Sequence, residues 1–283
     1  MSAVASALSP RLALGMVGRG RAARTLAPLL QAAGHTLTWW WSRGDKTPVD
    51  GLAETSVVLF AVPDGAIGQA AAKFATRKGA PNEVWLHLSG SRPGRIVRVS
   101  GAVPWAAGCL HPLVTLTGSD SAKHLAGATA AIDGDATAVR VATTLAHDLG
   151  LVPTPIASDQ KALYHAGAVT VAGHATALLT QAMVMLEAAG FTPDGARQAL
   201  VPLMRGAVAN LEAMTPQAAV TGPIARGDVP TVRAHLKALS SLPDPALGET
   251  YRRLATTALT LSKQGLTVAQ HDALQRVLQR ESP

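Results

Sequence analysis

The sequence predicts an α/β protein: a parallel β-sheet with helices on both faces, followed by an all-helical C-terminal part. Short apolar runs alternate with helical stretches up to about residue 155, which is typical of a parallel sheet wrapped by helices. Strand-like runs then disappear, and long helical stretches continue towards the C-terminus. A glycine-rich turn joins the first strand to the first helix. We therefore expect two domains, residues 1–155 and residues 156–283.

The pattern of apolar residues places the individual elements. Strands are expected at 11–16, 36–41, 56–61, 83–88, 107–110, 128–132 and 151–156. The helices between them are expected at 21–33, 64–77, 92–99, 120–126 and 135–149. The C-terminal helices are expected at 158–190, 194–213, 228–240, 244–264 and 267–280. Residues 166–182 are too apolar to face water, so we expect them to be buried centrally or at a subunit interface.

The turn after the first strand has the sequence Gly15-Met-Val-Gly18-Arg-Gly20-Arg-Ala-Ala23. From Gly18 it has the form G-x-G-x-x-A, which is typical of a strand-to-helix turn that holds a dinucleotide pyrophosphate. Gly18 permits the tight turn, Gly20 lets phosphates approach the backbone, and Ala23 lets the helix pack closely on the strand. The helix N-terminus and two loop arginines favour an anion. The residues expected to bind the cofactor here are Gly15, Gly18, Arg19, Gly20, Arg21 and Ala23.

The end of the second strand distinguishes between the two common dinucleotides. An NAD site usually has Asp or Glu there, which binds the ribose 2′-hydroxyl. In this chain the strand runs into Ser42-Arg43-Gly44, and the first acid is Asp45. Arg43 can pair with a 2′-phosphate and stack on adenine, and Ser42 can donate a further hydrogen bond. We therefore expect NADP(H) rather than NAD(H), with an ordinary surface arginine as the alternative role of Arg43.

Three further strand ends bring polar loops to the same edge of the predicted sheet. The third strand ends in Val62-Pro63-Asp64, and Val62 and Pro63 are expected to contact the cofactor. The fourth ends in Ser89-Gly90, where Ser89 can hydrogen-bond the cofactor and both residues can contact the substrate. The fifth ends in His111-Pro112, and His111 can orient substrate or move a proton.

Composition excludes several other classes of protein. The net charge is +7, but the arginines are scattered and only ten aromatic residues could stack on bases, so nucleic-acid binding is not expected. No uninterrupted apolar run is long enough to predict a membrane span, and the first ten residues lack the features of a signal peptide. Cys109 is the single cysteine, which excludes an internal disulfide, and no metal-ligand spacing is present. A cytoplasmic protein is expected.

Together these motifs resemble a known family. The resemblance rests on the glycine turn, the polar strand ends, Lys161-Ala-Leu-Tyr164-His165 and Thr221-Gly-Pro-Ile-Ala-Arg-Gly-Asp228. The chain is similar to Rossmann-like proteins whose C-terminal half is a domain of unknown function, number 2520. That family more distantly resembles 6-phosphogluconate and β-hydroxyacid dehydrogenases, ketopantoate reductase, pyrroline-5-carboxylate reductase and prephenate dehydrogenase. The resemblance implies an NADP-binding Rossmann domain, a helical C-terminal domain and a dimer.

The wider superfamily usually has a catalytic Lys and an Asn four residues later on the first long helix. Here Lys161 and His165 have that spacing, so they share one helix face. Lys161 can give a proton or polarise a carbonyl, and His165 replaces the Asn. His174 stands where the closer family tends to show Ser-Asn. The expected substrate-contacting residues are therefore Ser89, Gly90, Tyr164, His174 and Arg226, of which Arg226 can bind an anionic group.

These observations predict an NADP(H)-dependent oxidoreductase that reduces a small carboxylated carbonyl or imine compound in the cleft between its domains. Its expected catalytic residues are Lys161, His165 and His111. The alternative is a catalytically silent NADP(H)-binding sensor or scaffold, which the departures at His165 and His174 favour. The apolar helix 158–190 predicts a homodimer built through the C-terminal helices.

Overall fold

The computed structural model describes residues 11–46, 54–75, 83–99, 106–116 and 123–279. A seven-stranded sheet contains β1 (Ala13–Val17), β2 (Thr36–Trp41), β3 (Val57–Phe60), β4 (Val84–His87), β5 (Ala106–Pro112), β6 (Thr129–Gly134) and β7 (Val152–Pro155). Three α-helices accompany it: α1 (Arg21–Ala32), α2 (Ile67–Ala75) and α3 (Ala136–Asp148). The predicted α/β class, a Rossmann-like sheet followed by helices, is confirmed.

The sheet has the strand order β2-β1-β3-β4-β5-β6-β7. Its pairs are parallel except β5 with β6, so the expectation of a wholly parallel sheet is wrong at this one pair. A parallel pair needs a crossover connection, usually a helix, whereas the described residues between β5 and β6 contain no α-helix. The predicted helix 92–99 is only a 3₁₀ turn at Gly94–Val97, and that at 120–126 lies partly outside the described residues.

The register of the sheet brings the polar strand ends to one edge. Val17 at the end of β1 pairs with Phe60, Phe60 with His87, and His87 with Cys109. The loops that follow β1, β3 and β4 therefore leave the sheet at the same level. Since β1 lies between β2 and β3, the strand order reverses there, and this is where ligands bind in open α/β sheets.

Apolar residues cover both faces of the sheet. In β1, Leu14 and Met16 belong to one buried cluster, while Val17 belongs to the other. The second cluster is aromatic: the rings of Trp39 and Phe74 stack with centroids 5.4 Å apart. This packing fixes β2 and α2 on the sheet. β2 ends at the edge described above, and α2 follows the loop that leaves β3 at that edge.

The remaining helices are α4 (Lys161–Val171), α5 (Gly173–Ala188), α6 (Pro193–Ala213), α7 (Pro216–Ala219), α8 (Val229–Ser240), α9 (Pro245–Ser262) and α10 (Val268–Gln279). The chain divides into two compact units, Met1–Ala172 and Gly173–Pro283. This division falls after α4, whereas the change in sequence pattern falls near residue 155. The reason is that α4 sends Lys161 and Tyr164 into hydrogen bonds with the strand-end residues of β4 and β5.

The predicted single helix 158–190 is wrong, because Ala172 separates α4 from α5. Ala172 has φ −88° and ψ −75°, and the next residue is Gly173, a weak helix former. The expected burial is also not found within this chain, since α5 has no buried residue. By length and mean hydropathy (1.4), Ser158–Ala188 is the one stretch among the described helices that could cross a membrane, and one such stretch is weak evidence for a membrane protein.

Candidate functional site

The glycine turn between β1 and α1 is built as its spacing predicts. Gly18 has φ +109°, and a Cβ there would lie 2.2 Å from the carbonyl oxygen of Ala61. The amide of Gly18 donates to the carbonyl of Trp41 at 2.7 Å, which ties the turn to the end of β2. Only glycine combines this left-handed conformation with this close approach.

Gly20 differs from Gly18 because the space beside it is open. It is the N-cap residue of α1, with ordinary φ −69°, and a Cβ there would meet nothing within 4 Å. No side chain caps α1, and its first turn contains no acid. The first N–H groups of α1 are thus available to an anion, and the residues present fit a dinucleotide pyrophosphate. Ala23 is fully buried, as close packing of the helix requires.

A cavity of about 690 Å³ begins at this turn. It brings together the ends of β1, β2 and β3 with one face of α2. Its lining includes the predicted residues Gly18, Arg19, Gly20, Ser42, Arg43, Val62 and Pro63, together with Trp41, Gln69 and Lys73. Gly15, which was also expected to bind cofactor, instead packs against Trp39, since a Cβ there would lie 2.1 Å from the indole ring.

Lys73 is a cavity residue that sequence reasoning missed. It lies on α2, and its ammonium nitrogen is 4.5 Å from the centroid of the Trp41 ring. A lysine in the last turn of a helix belongs to no motif, so only the position of α2 behind Val62-Pro63 could have indicated it. Lys73 gives the cavity a third cation besides Arg19 and Arg43.

Lys161 lies inside the protein rather than on its surface. Only 1% of its surface is exposed, and its ammonium group donates to the carbonyl of Ser89 at 3.2 Å and to the sulfur of Cys109 at 2.8 Å. Burial raises the pKa of Cys109 to about 11, against the opposing effect of Lys161, so the thiol remains protonated at neutral pH. Lys161 therefore holds the end of β4 to β5.

His111 and Tyr164 form a hydrogen-bonded pair. The Tyr164 oxygen lies 2.8 Å from Nδ1 of His111. Burial lowers the pKa of His111 to about 4, with smaller contributions from Lys161 and His165, so the imidazole is neutral at pH 7. Burial likewise raises the pKa of Tyr164 to about 12 and keeps the phenol protonated. The Tyr164 hydroxyl can therefore donate to His111, or turn to an acceptor on a ligand.

His165 completes this cluster at Gly90. The ring centroids of His111 and His165 are 6.2 Å apart. A Cβ at Gly90 would lie 2.7 Å from Cε1 of His111 and 2.7 Å from Cδ2 of His165. Gly90 therefore lets both imidazoles approach the loop after β4. We refer to Gly90, His111, Tyr164 and His165 as the Gly90 cluster.

The loop after β4 is fixed by hydrogen bonds to buried groups. The amide of Ser89 donates to Nδ1 of His87, and Nε2 of His87 donates to the carbonyl of Pro93. His87 is fully buried, and this burial, followed by the charge of Lys161, lowers its pKa to about 4. The hydroxyl of Ser89 in turn accepts from the amides of Ser91 and Arg92. Ser89 is thus engaged in holding the loop.

Asp64 is a carboxylate that is hydrogen-bonded to this loop. The hydroxyl of Ser91 donates to Asp64 at 2.6 Å. Burial would raise the pKa of Asp64, but hydrogen bonds from Ser91 and Ser89 and the charge of His165 lower it overall. Asp64 is thus an ionised carboxylate at neutral pH close to the Gly90 cluster.

Two predicted substrate residues lie in the second compact unit. His174 is exposed on α5, and Arg226 is exposed in the loop before α8. Asp228, in the same loop, caps α8 by accepting from the amide of Thr231 at 3.1 Å. Within the described residues, no three His, Cys, Asp or Glu side chains gather as metal ligands would.

The comparisons with known proteins concern the family and the fold. Residues 128–258 match the model of the family described as Domain of unknown function (DUF2520). This match confirms the resemblance drawn from the motifs. No curated protein matches the sequence.

Several solved structures share the fold. BF3122 of Bacteroides fragilis, described as a candidate NADP oxidoreductase, has a TM-score of 0.69 at 20% identity, over 88% of this chain and 98% of its own. TM1727 of Thermotoga maritima has a TM-score of 0.66 at 20% identity, over 89% and 98%. An Aspergillus terreus imine reductase in complex with NADPH4 has a TM-score of 0.58 at 15% identity, over 95% and 100%. The chain therefore shares the fold of these three proteins.

Proposed function

We propose that this protein is an NADP(H)-dependent reductase of a small carbonyl or imine compound that carries a carboxylate. The observation that supports the proposal is the set of groups gathered at one edge of the sheet. It holds an uncapped helix N-terminus behind a G-x-G-x-x-A turn, a cavity lined by three cations, and the Gly90 cluster at the ends of neighbouring strands. Anion binding and proton-donating groups at one edge are what such a reductase requires.

In this proposal the two ends of the dinucleotide have different partners. The amides at the start of α1 hold the pyrophosphate, and Ser42 and Arg43 hold the adenosine 2′-phosphate. The nicotinamide supplies a hydride when it is bound. The residues around Gly90 then position the substrate and supply the proton that the reduced oxygen or nitrogen requires.

His165 and Tyr164 are the proton donors in this proposal. His165 is half-buried beside Gly90 and lies within electrostatic range of the Asp64 carboxylate. Tyr164 is half-buried, carries its proton at neutral pH and is oriented by His111. Lys161 acts through other groups: it fixes the carbonyl of Ser89 and contributes to keeping His111 neutral. We assign it a positioning role rather than contact with substrate.

The proposal extends to the substrate, the assembly and the location. The exposed guanidinium of Arg226 is the group that would bind the substrate carboxylate. In this proposal the protein is cytoplasmic. It acts as a homodimer, since α5 has no buried residue and exposes apolar side chains such as Leu178 and Val184.

The burial of Lys161 favours one alternative function. In a reductase that used this lysine as its proton donor, the ammonium group would have to reach substrate, and here it is enclosed by Ser89 and Cys109. A protein that binds NADP(H) without turnover, as a sensor or scaffold, needs only the cavity. This alternative predicts cofactor binding and no reduction of any substrate.

The first test compares the wild type with Gly20→Ala. The added Cβ meets no protein atom within 4 Å, so the fold should be retained. The same Cβ would occupy the space through which phosphates approach the backbone, so NADPH affinity should fall at least tenfold in calorimetry. Equal affinity in the two proteins would overturn the proposed cofactor site.

The second test addresses turnover. Keto acids and cyclic imines with and without a carboxylate are incubated with NADPH and the wild-type protein, and loss of NADPH absorbance is followed. Reduction of a carboxylated member supports the reductase. Tight NADPH binding with no reduction across both classes supports the sensor.

A further inference from the structure

The acid that follows β2 holds two of the side chains that line the dinucleotide cavity. The Oδ2 atom of Asp45 accepts from the amide of Ser42 at 2.8 Å and from the Ser42 hydroxyl at 3.0 Å. The Nη2 atom of Arg19 lies 3.4 Å from the same oxygen. Three donor groups therefore converge on one carboxylate oxygen, as they would on an oxygen of a bound phosphate.

The turn that carries Asp45 is fixed by the backbone. The amide of Asp45 donates to the carbonyl of Ser42 at 3.0 Å, and the indole of Trp41 donates to the carbonyl of Asp45 at 3.1 Å. The backbone and side-chain hydrogen bonds from Ser42, and then the charge of Arg19, lower the pKa of Asp45. Asp45 is consequently a fixed, negatively charged group at neutral pH.

Arg19 and Ser42 both line the cavity and contact Asp45. Arg19, Ser42 and Arg43 line the cavity with Lys73, whereas no carboxylate is among its described lining residues. Asp45 thus binds Arg19 and Ser42 without lining the cavity itself. A phosphate in the cavity could use these two donors fully only by drawing them away from Asp45.

We propose that Asp45 determines cofactor preference by competing with the 2′-phosphate of NADP(H) for Arg19 and Ser42. The inference rests on the proposed function, because it requires a dinucleotide in this cavity. A 2′-phosphate has to displace the Asp45 contacts and lies close to a second negative charge. The ribose 2′-hydroxyl of NAD(H) carries no charge and leaves those contacts in place. Asp45 therefore weakens the NADP(H) preference that Arg43 and Lys73 supply.

This role differs from that of an acid that binds the ribose of NAD(H). A ribose-binding carboxylate strengthens NADH binding, so its removal would weaken NADH and leave NADPH unchanged. A competing carboxylate weakens NADPH binding, so its removal strengthens NADPH and leaves NADH unchanged. In both cases, removal of the carboxylate raises the ratio of NADPH affinity to NADH affinity. Only separate measurements of the NADPH and NADH affinities distinguish the two roles.

The experiment measures NADPH and NADH dissociation constants by calorimetry for the wild type, Asp45→Asn and Glu54→Gln. Asparagine can still accept from the amide of Ser42, so the turn is kept while the charge is removed. Glu54→Gln makes the same change in net charge just before β3, at the opposite end of the strands. We expect Asp45→Asn to bind NADPH roughly three- to tenfold more tightly, with NADH affinity unchanged and Glu54→Gln like the wild type.

Asp45→Ser provides a second measurement at the same position, since its hydroxyl can also accept from Ser42. Weaker NADH binding with unchanged NADPH in these variants would overturn the inference in favour of a ribose-binding acid. Unchanged affinities for both cofactors would overturn it as well. Failure of the wild type and Glu54→Gln to bind either dinucleotide would instead overturn the proposed function, and the inference with it.

Discussion

The ammonium nitrogen of Lys161 lies 2.8 Å from the sulfur of Cys109, across 52 positions of the sequence. The same nitrogen reaches the carbonyl of Ser89, 72 positions away. A single side chain of α4 thus connects the ends of β4 and β5 in the interior. Because its charge is poorly screened there, it acts on the histidines around it more strongly than a surface lysine would.

Replacing Lys161 with Met should raise the pKa of His111. The ammonium is, after burial, the second cause of the low value of about 4, and burial remains in the variant, so the new value should still lie below 6.5. NMR titration of the histidine ring protons measures this change. Lys46→Met, at an exposed lysine just after β2, should leave the His111 titration unaltered. An unchanged His111 titration in Lys161→Met would contradict the position of this lysine.

The free energy of unfolding should decrease as the pH falls, over a pH range set by the pKa values of two histidines. His87 and His111 have pKa values of about 4 in the folded protein, against 6.5 for the ordinary side chain. Between these values the unfolded chain binds protons that the folded chain does not, so the unfolding free energy falls as pH falls from about 6.5 to about 4. The loss is up to roughly 3 kcal/mol for each histidine.

Urea unfolding at several pH values between 7.5 and 4.5 measures this dependence. His111→Gln should make it shallower, because one of the two groups no longer titrates. His124→Gln, at an exposed histidine, should keep the wild-type dependence. An unfolding free energy that is constant across this range would show that neither histidine is held neutral by the fold.

The sequence predicted the geometry of the glycine turn better than that of the Gly90 cluster, for a physical reason. The turn from Gly18 to Gly20 is local, and the backbone conformation and close approach that it needs limit the residues that it tolerates. The burial of Lys161 depends on partners from two distant strand ends, which no spacing within α4 reveals. The break at Ala172 likewise lies within a uniformly apolar stretch, where periodicity gives no boundary.

Arg43→Ala should remove most of the preference for NADPH over NADH. Arg43 lines the cavity at the end of β2, where it can form a charge-assisted contact to the 2′-phosphate. Such a contact contributes on the order of 1.5–3 kcal/mol, so NADPH affinity should fall roughly 10–100-fold while NADH affinity changes little. Arg24→Ala, at an exposed arginine of α1, serves as the control in calorimetry. Equal affinities of the wild type for the two cofactors would contradict this prediction.

The second compact unit should mediate a homodimer. Apolar side chains are exposed on α5 and α6. On α6 they include Leu203, which is 69% exposed, and Val208, which is 52% exposed. Light scattering should therefore give twice the chain mass of 29.0 kDa at micromolar concentration. Leu203→Glu should shift the protein towards monomer, whereas Val152→Glu, at the exposed edge strand β7, should not. A wild-type monomer at this concentration would contradict the prediction.

Removal of either proposed proton donor should lower turnover without weakening cofactor binding. Tyr164→Phe deletes the hydroxyl that lies 2.8 Å from His111, and His165→Gln deletes the titratable group beside Gly90. Loss of general acid catalysis typically costs 10²–10⁴-fold, so kcat in each variant should fall by about that factor once a substrate is known. His111→Ala should act less strongly, mainly on KM, because in this proposal His111 gives up no proton and helps to position the substrate.

To separate a loss of catalysis from a loss of cofactor binding, kcat and the NADPH dissociation constant are measured on the same preparation of each variant. In the proposed complex, Gly20 and the α1 amides bind the other end of the dinucleotide, so both donor variants should retain the NADPH dissociation constant of the wild type. If an imidazolium is the donor, kcat of the wild type falls at high pH as that donor loses its proton. His165→Gln should lose this fall in kcat, whereas Tyr164→Phe should keep it. Wild-type kcat in both variants would exclude the two α4 side chains as donors, since neither an imidazolium nor a phenol would then be required.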